Sequence, residues 1–101
     1  MTEAERIIQR LKWMTRFLWS RGYETVRLVF SDDSFVCAAD REPRAFEEVE
    51  RLLRAGERPL GFIARLSERR GQPFVEPWVS GDEAVLAKLN DTARFWYHHR
   101  M

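Results

Sequence analysis

Cysteine is nearly absent from the chain: Cys37 is the only one in 101 residues. That excludes an internal disulfide and any metal site built from several thiolates. Long apolar runs are missing too. None approaches the roughly 18 residues that span a bilayer, and the first 30 residues carry no secretory-leader pattern. No membrane partner and a cytoplasmic location are therefore expected. Lysine is scarce, two against 15 arginines, and the side-chain amides reduce to Gln9, Gln72 and Asn90. Such depletion fits a GC-rich or heat-adapted bacterial source. Also missing are G-x-x-x-x-G-K-[ST], G-x-G-x-x-G and G-x-S-x-G, the loops that cradle phosphates or hold a nucleophile on a sharp turn. Without them the sequence gives no basis for an enzyme, and no catalytic, cofactor-binding or metal-binding residue is expected.

What is present describes one globular domain over 1–101. Hydrophobic residues make up 45% and charged residues 33%, too apolar for a disordered chain. A domain this short has limited surface to bury, and a partner subunit would extend it. Net charge is only +1, but it is unevenly spread. Residues 1–31 hold six bases against three acids, and residues 32–58 hold five against eight. Basic and acidic segments that meet, within or between subunits, would explain that division.

The first element is a helix. Thr2 and Glu5 have the spacing of a capping box, and Gly22 stands where a left-handed residue ends a helix. Ile7, Leu11, Met14 and Leu18 share one face, widened by Ile8 and Trp19 on one side and by Trp13 and Phe17 on the other. Packing on a single sheet needs a stripe of about 100° or somewhat more; this arc is far wider, so something else must cover the excess. Two strands follow. In 25–30, Val26, Leu28 and Phe30 alternate with Thr25, Arg27 and Val29; in 34–39, "SFVCAA" comes after an Asp32–Asp33 turn.

The segment 42–56 is a one-faced helix. Pro43 suits its first turn, with Asp40 or Glu42 near the cap, and Gly56 ends it. Phe46, Val49, Leu52 and Leu53 line it, and Glu47–Arg51 and Glu50–Arg54 have ion-pair spacing. A strand over 59–66 puts Phe62, Ala64 and Leu66 opposite Ile63. After a charged turn at 67–72, the strand 73–79 contains Pro73 and Pro77 and belongs at a sheet edge. A last helix over about 82–98 starts at a Ser80–Glu83 capping box. It carries Val85, Leu89 and Trp96 on one face, with Leu86, Ala93 and Tyr97 beside them. The order α-ββ-α-ββ-α predicts an α+β fold: a two-layer sandwich, with a four-stranded, mainly antiparallel sheet and the helices on one face.

Candidate chemistry is thin. His98 and His99 are adjacent, about 100° apart on a helix, whereas two helical ligands need a spacing of three or four. Cys37 reads as a small buried hydrophobe, Asp32 and Asp33 as turn residues, and Glu76 has no evident partner. Binding is better supported. Four tryptophans are many for this length, and Trp and Arg are the residue types most enriched at binding hot spots. The expected function is a small non-catalytic protein-interaction module: a homodimeric adaptor, assembly factor or inhibitor. Trp13, Phe17, Trp19, Phe95, Trp96 and Tyr97 are its expected anchors, with Arg10, Arg16 and Arg94 at the rim. Phe95 stands apart from the core stripe of its helix and has no internal reason to be apolar. The alternative is a nucleic-acid-binding regulator that uses the Arg- and Trp-bearing first helix and the terminal "RFWYHHR".

Overall fold

The structure, a computed structural model, describes residues 1–37, 43–66 and 72–98. Its elements are α1 (Glu3–Trp19), β1 (Tyr23–Phe30), β2 (Phe35–Val36), α2 (Pro43–Arg54), β3 (Pro59–Leu66), β4 (Phe74–Pro77) and α3 (Glu83–His98). The strands form one antiparallel sheet in the order β2-β1-β3-β4. The α+β class and the element order are those read from the sequence.

Local chemistry accounts for the boundaries. The Thr2 hydroxyl accepts from the Glu5 amide at 3.1 Å, and the Glu5 carboxylate accepts from the Thr2 amide at 3.2 Å. These two bonds satisfy amide donors that the first turn of α1 leaves over. After α2, the Glu57 amide reaches the Leu52 carbonyl and the Gly56 amide the Leu53 carbonyl, the pattern that closes a helix through a left-handed glycine. The expected cap of α2 at Asp40 or Glu42 lies outside the described residues, as does the turn at 67–71. At α3 the capping residue differs from the expectation. The Asp82 carboxylate, and not the Ser80 hydroxyl, accepts from the Val85 amide at 3.1 Å. Asp82 directly precedes the first helical residue, where a cap must sit. On α2, Arg51 pairs with Glu48 where Glu47 was expected, while Glu50–Arg54 forms at 3.8 Å.

The helices are divided between the two faces of the sheet, where one helical layer was expected. On one face α1 and α2 cover Val26, Leu28, Phe30, Phe62 and Ala64 in the larger core. On the other, α3 lays Leu89 and Ala93 over Val29 and Ile63. All four of those residues are at most 1% exposed, so α3 covers the centre of the second face and the domain has three layers. Gly61 seats α3. A Cβ there would lie 2.6 Å from Leu89 Cδ1 and 2.2 Å from the Glu76 carbonyl oxygen.

Two irregularities shape the sheet. The β1–β3 register shifts by one residue between Glu24 and Arg27, a bulge centred on Thr25, whose φ is +54°. The bulge does not disturb the predicted alternation beyond it: Val26, Leu28 and Phe30 face the larger core and Val29 the smaller. At the outer edge, the Trp78 amide donates to the Leu60 carbonyl at 2.7 Å. With the Phe62–Glu76 and Ala64–Phe74 pairs, this fixes the even positions of β4 as those bonded to β3. Val75 and Pro77 therefore turn their backbone outward, and Pro77 has no N–H to present. The edge strand is closed to strand addition by a partner.

Candidate interaction surfaces

α1 spends most of its wide apolar arc on the core. Ala4, Ile7, Ile8, Leu11, Met14 and Leu18 are buried. Thr15, buried among them, donates its hydroxyl to the Leu11 carbonyl at 2.7 Å. The excess on one side goes to α2, which packs beside Ile8 through Phe46. Trp13 and Trp19 are left over, at 61% and 50% exposed.

Trp13 is not loose. Its indole stacks on Phe17 at 5.1 Å between centroids and 10° between planes. The Arg21 guanidinium lies 4.1 Å from the Phe17 centroid. Trp13 and Phe17 are spaced i, i+4 on α1, and Arg21, in the turn just past its end, extends the stack into a short ladder. Phe17 packs against the core, and the ladder holds Trp13 at the surface in one orientation. Trp19 projects roughly 120° around the helix from Trp13, at 100° per residue, and borders a different edge.

Arg10 is not a rim residue. It donates to the Trp78 carbonyl at 2.8 Å, and its guanidinium lies 4.1 Å from the Trp78 ring centroid and 5.5 Å from that of Phe62. It clamps α1 to the end of β4. Arg10→Ala is expected to cost about 1–2 kcal/mol, from a half-buried charge-assisted bond and a cation–π contact, and to lower the thermal midpoint by roughly 5–15 °C. Arg10→Lys should recover less than half, because the stacking needs a flat guanidinium. A midpoint for Arg10→Ala within 2 °C of wild type, read by circular dichroism, would remove the clamp.

Arg16 is exposed, as expected of a rim residue. Arg94 is exposed too, but pairs with Asp91 on its own helix at 3.3 Å. The terminal aromatics part company. Trp96 and Tyr97 pack on the smaller core, and Trp96 meets Phe35 edge-on at 5.3 Å. Arg27 lies over both rings, 4.5 Å from Phe35 and 4.8 Å from Trp96. Trp96 and Tyr97 are thus partly buried against their own sheet, each still showing some surface. Phe95, turned away, is 61% exposed, as its place on the helix implied. The side chains of His98, His99 and Arg100 lie outside the described residues.

The remaining candidates stay minor. Cys37 is exposed, not the buried hydrophobe expected, because β2 stops at Val36. Partial burial of the thiol pushes its pKa up, while the neighbouring Arg27 pulls the other way. Asp32 serves the turn: it accepts from the Ser34 hydroxyl and amide, and the hydroxyl bond holds its pKa below the usual carboxylate value. Two ion pairs join distant segments, Glu3–Arg58 and Asp33–Lys88, but neither sets a base of the 1–31 block against an acid of the 32–58 block. Both pairs are exposed and contribute little to stability. No helix among the described residues is long and apolar enough to cross a membrane.

No protein-family model, curated protein or solved structure matches the chain. The surfaces rest on their own geometry. The exposed ladder on α1 and the exposed Phe95 of α3 lie on opposite sides of the sheet, so they form two surfaces and not one.

Proposed function

We propose that this protein is a non-catalytic interaction module that docks on another protein through the outer face of α1. One observation carries the reading: Trp13 is 61% exposed yet stacked on Phe17, whose ring Arg21 also contacts. A large aromatic ring kept rigid in solvent adds nothing to its own core. It does lower the entropy lost on binding, as a preorganised anchor should. The homodimer belongs on the opposite layer. There Phe35 and Phe95, at 44% and 61% exposed, flank charges already paired as Lys88–Asp33 and Arg94–Asp91. A twofold contact there brings no unmatched charges together. With one face for self-association and one for a partner, the module fits an adaptor.

The test is affinity capture from native cells with wild type and Trp13→Ala. The wild type should retain a partner that the variant loses, with thermal midpoints within about 4 °C of each other, as for a surface change. An unchanged set of captured proteins sinks the docking face. Light scattering at tens of micromolar tests the other layer, where Phe95→Glu should convert a dimer to a monomer.

A further inference from the structure

We infer that the outer face of α1 takes an acidic amphipathic segment of a partner protein, and not a second copy of this chain. The inference rests on the docking reading above and specifies what docks. From Arg6 to Arg21 the helix region carries five bases and no acid. Its two acids stand in the first turn and are engaged, Glu3 with Arg58 at 3.6 Å and Glu5 in the capping box. Arg10 is committed to Trp78. Arg6, Arg16 and Arg21 remain along the Trp13 side of the helix. Among the described residues neither Arg6 nor Arg16 has an ion-pair partner. α2 does not offset this surplus, since Glu48–Arg51 and Glu50–Arg54 are matched internally.

That distribution decides against self-association on this layer. A twofold contact of α1 with its own copy sets Arg6, Arg16 and Arg21 against the same strip, and like charges meet. Placing α1 over the copy's α2 does no better. With Glu48–Arg51 and Glu50–Arg54 paired, α2 has Arg44 and Glu47 left, one of each sign, and so no net acid to match the bases of α1.

A nucleic acid would also answer the charge, but the rings are used differently from a base-stacking platform. Bases need open ring faces. Trp13 covers Phe17 from one turn before it, and Arg21 covers it from one turn after. The ladder offers ring edges and one indole, on a convex helix. Such a ribbon suits side chains of a second helix laid across it. Arg6 lies seven residues before Trp13 and Arg16 three after it, roughly 10 Å and 5 Å along the axis at 1.5 Å per residue. The complementary segment therefore has an apolar anchor with carboxylates about one turn to one side and two turns to the other.

Three fluorescent probes test this against the full-length protein by anisotropy: a helical peptide with a leucine face flanked by glutamates, the same peptide with lysines for the glutamates, and a single-stranded oligothymidine. The acidic peptide should bind at least about tenfold more tightly than the lysine peptide or the oligothymidine, a margin typical of matched over opposed charge. Its affinity should fall as salt rises. Trp13→Ala and Arg16→Glu should each weaken it about fivefold or more, with an unchanged circular dichroism spectrum and thermal midpoint. Equal binding of the two peptides, tighter binding of the oligothymidine, or indifference to both variants overturns the inference. So does self-association that Trp13→Ala abolishes. A native partner lost with Trp13→Ala but indifferent to salt and to Arg16→Glu would leave the docking reading intact and remove only the acidic class.

Discussion

Gly61→Ala should be the most damaging single-methyl change in the molecule. The added Cβ would lie 2.2 Å from the Glu76 carbonyl oxygen and 2.8 Å from Pro77 Cα, both backbone atoms of the neighbouring strand, and 2.6 Å from Leu89 Cδ1. Flexible side chains can yield to such a contact; a paired backbone cannot without breaking its ladder. Gly61 also has φ +157°, which L side chains seldom adopt. Overpacking a well-filled interior costs about 1–3 kcal/mol and occasionally more. Here β4 and α3 must both move, so about 3 kcal/mol or more is expected. Against a total of about 5–15 kcal/mol for a typical domain, the midpoint of thermal unfolding should fall by on the order of 15 °C. A fall under 4 °C, followed by circular dichroism, would show that α3 does not sit as closely on β3 as described.

Leu89→Ala should come next, and should act on one layer. Leu89 is fully buried, and only Val29, Ile63 and Ala93 join it in the smaller core, with Leu60, Val75, Val85, Trp96 and Tyr97 around them. Truncating a buried leucine costs about 3 kcal/mol through lost burial and the cavity left behind. The larger core gathers α1, α2 and the other face of the sheet without Leu89. The α3 amides should therefore lose most of their hydrogen-exchange protection while those of α1 and β1 keep theirs, a local opening in place of global unfolding. Uniform loss of protection across all three helices would contradict two separable cores.

Much of the fold could be read before the structure. The capping box at Thr2, the stop at Gly56, the alternation in β1 and β3 and the edge position of β4 all follow from local rules; the cap of α3 and the partner of Arg51, equally local, fell one or two residues from where spacing put them. The split of the helices between faces was missed although its signs were present. Val29 and Ile63 are apolar on the second face of the two central strands, and Gly61 between them leaves room for a close approach. Arg27, on that same face, argued for solvent. It proves to lie over the rings of Phe35 and Trp96, a contact that no spacing along the chain encodes.

The candidate surface was legible in the same uneven way. Trp13, Trp19 and Phe95 could be placed at the surface because helical periodicity leaves each outside a stripe that is already complete. Arg10 could not, since the ring and carbonyl that hold it belong to Trp78, 68 residues away. Trp96 and Tyr97 pack partly against the layer that α3 covers, a layer that a fold with helices on one face does not provide. The charge reading was sharpened rather than replaced. Paired carboxylates quiet α2, and the basic excess of the first segment stands alone on α1.

The outward-facing proline of β4 has a consequence beyond the native state. When α3 opens, as it should transiently in wild type and often in Leu89→Ala, the apolar second face of the sheet is bared while the strands persist. Molecules in that condition usually join edge to edge and grow into fibres. Here the bare face adjoins an edge with Pro77 at one outward position and Pro73 two residues before Val75, so an incoming strand meets two carbonyls without their N–H partners. Partly opened molecules should not pair strand to strand through the β4 edge.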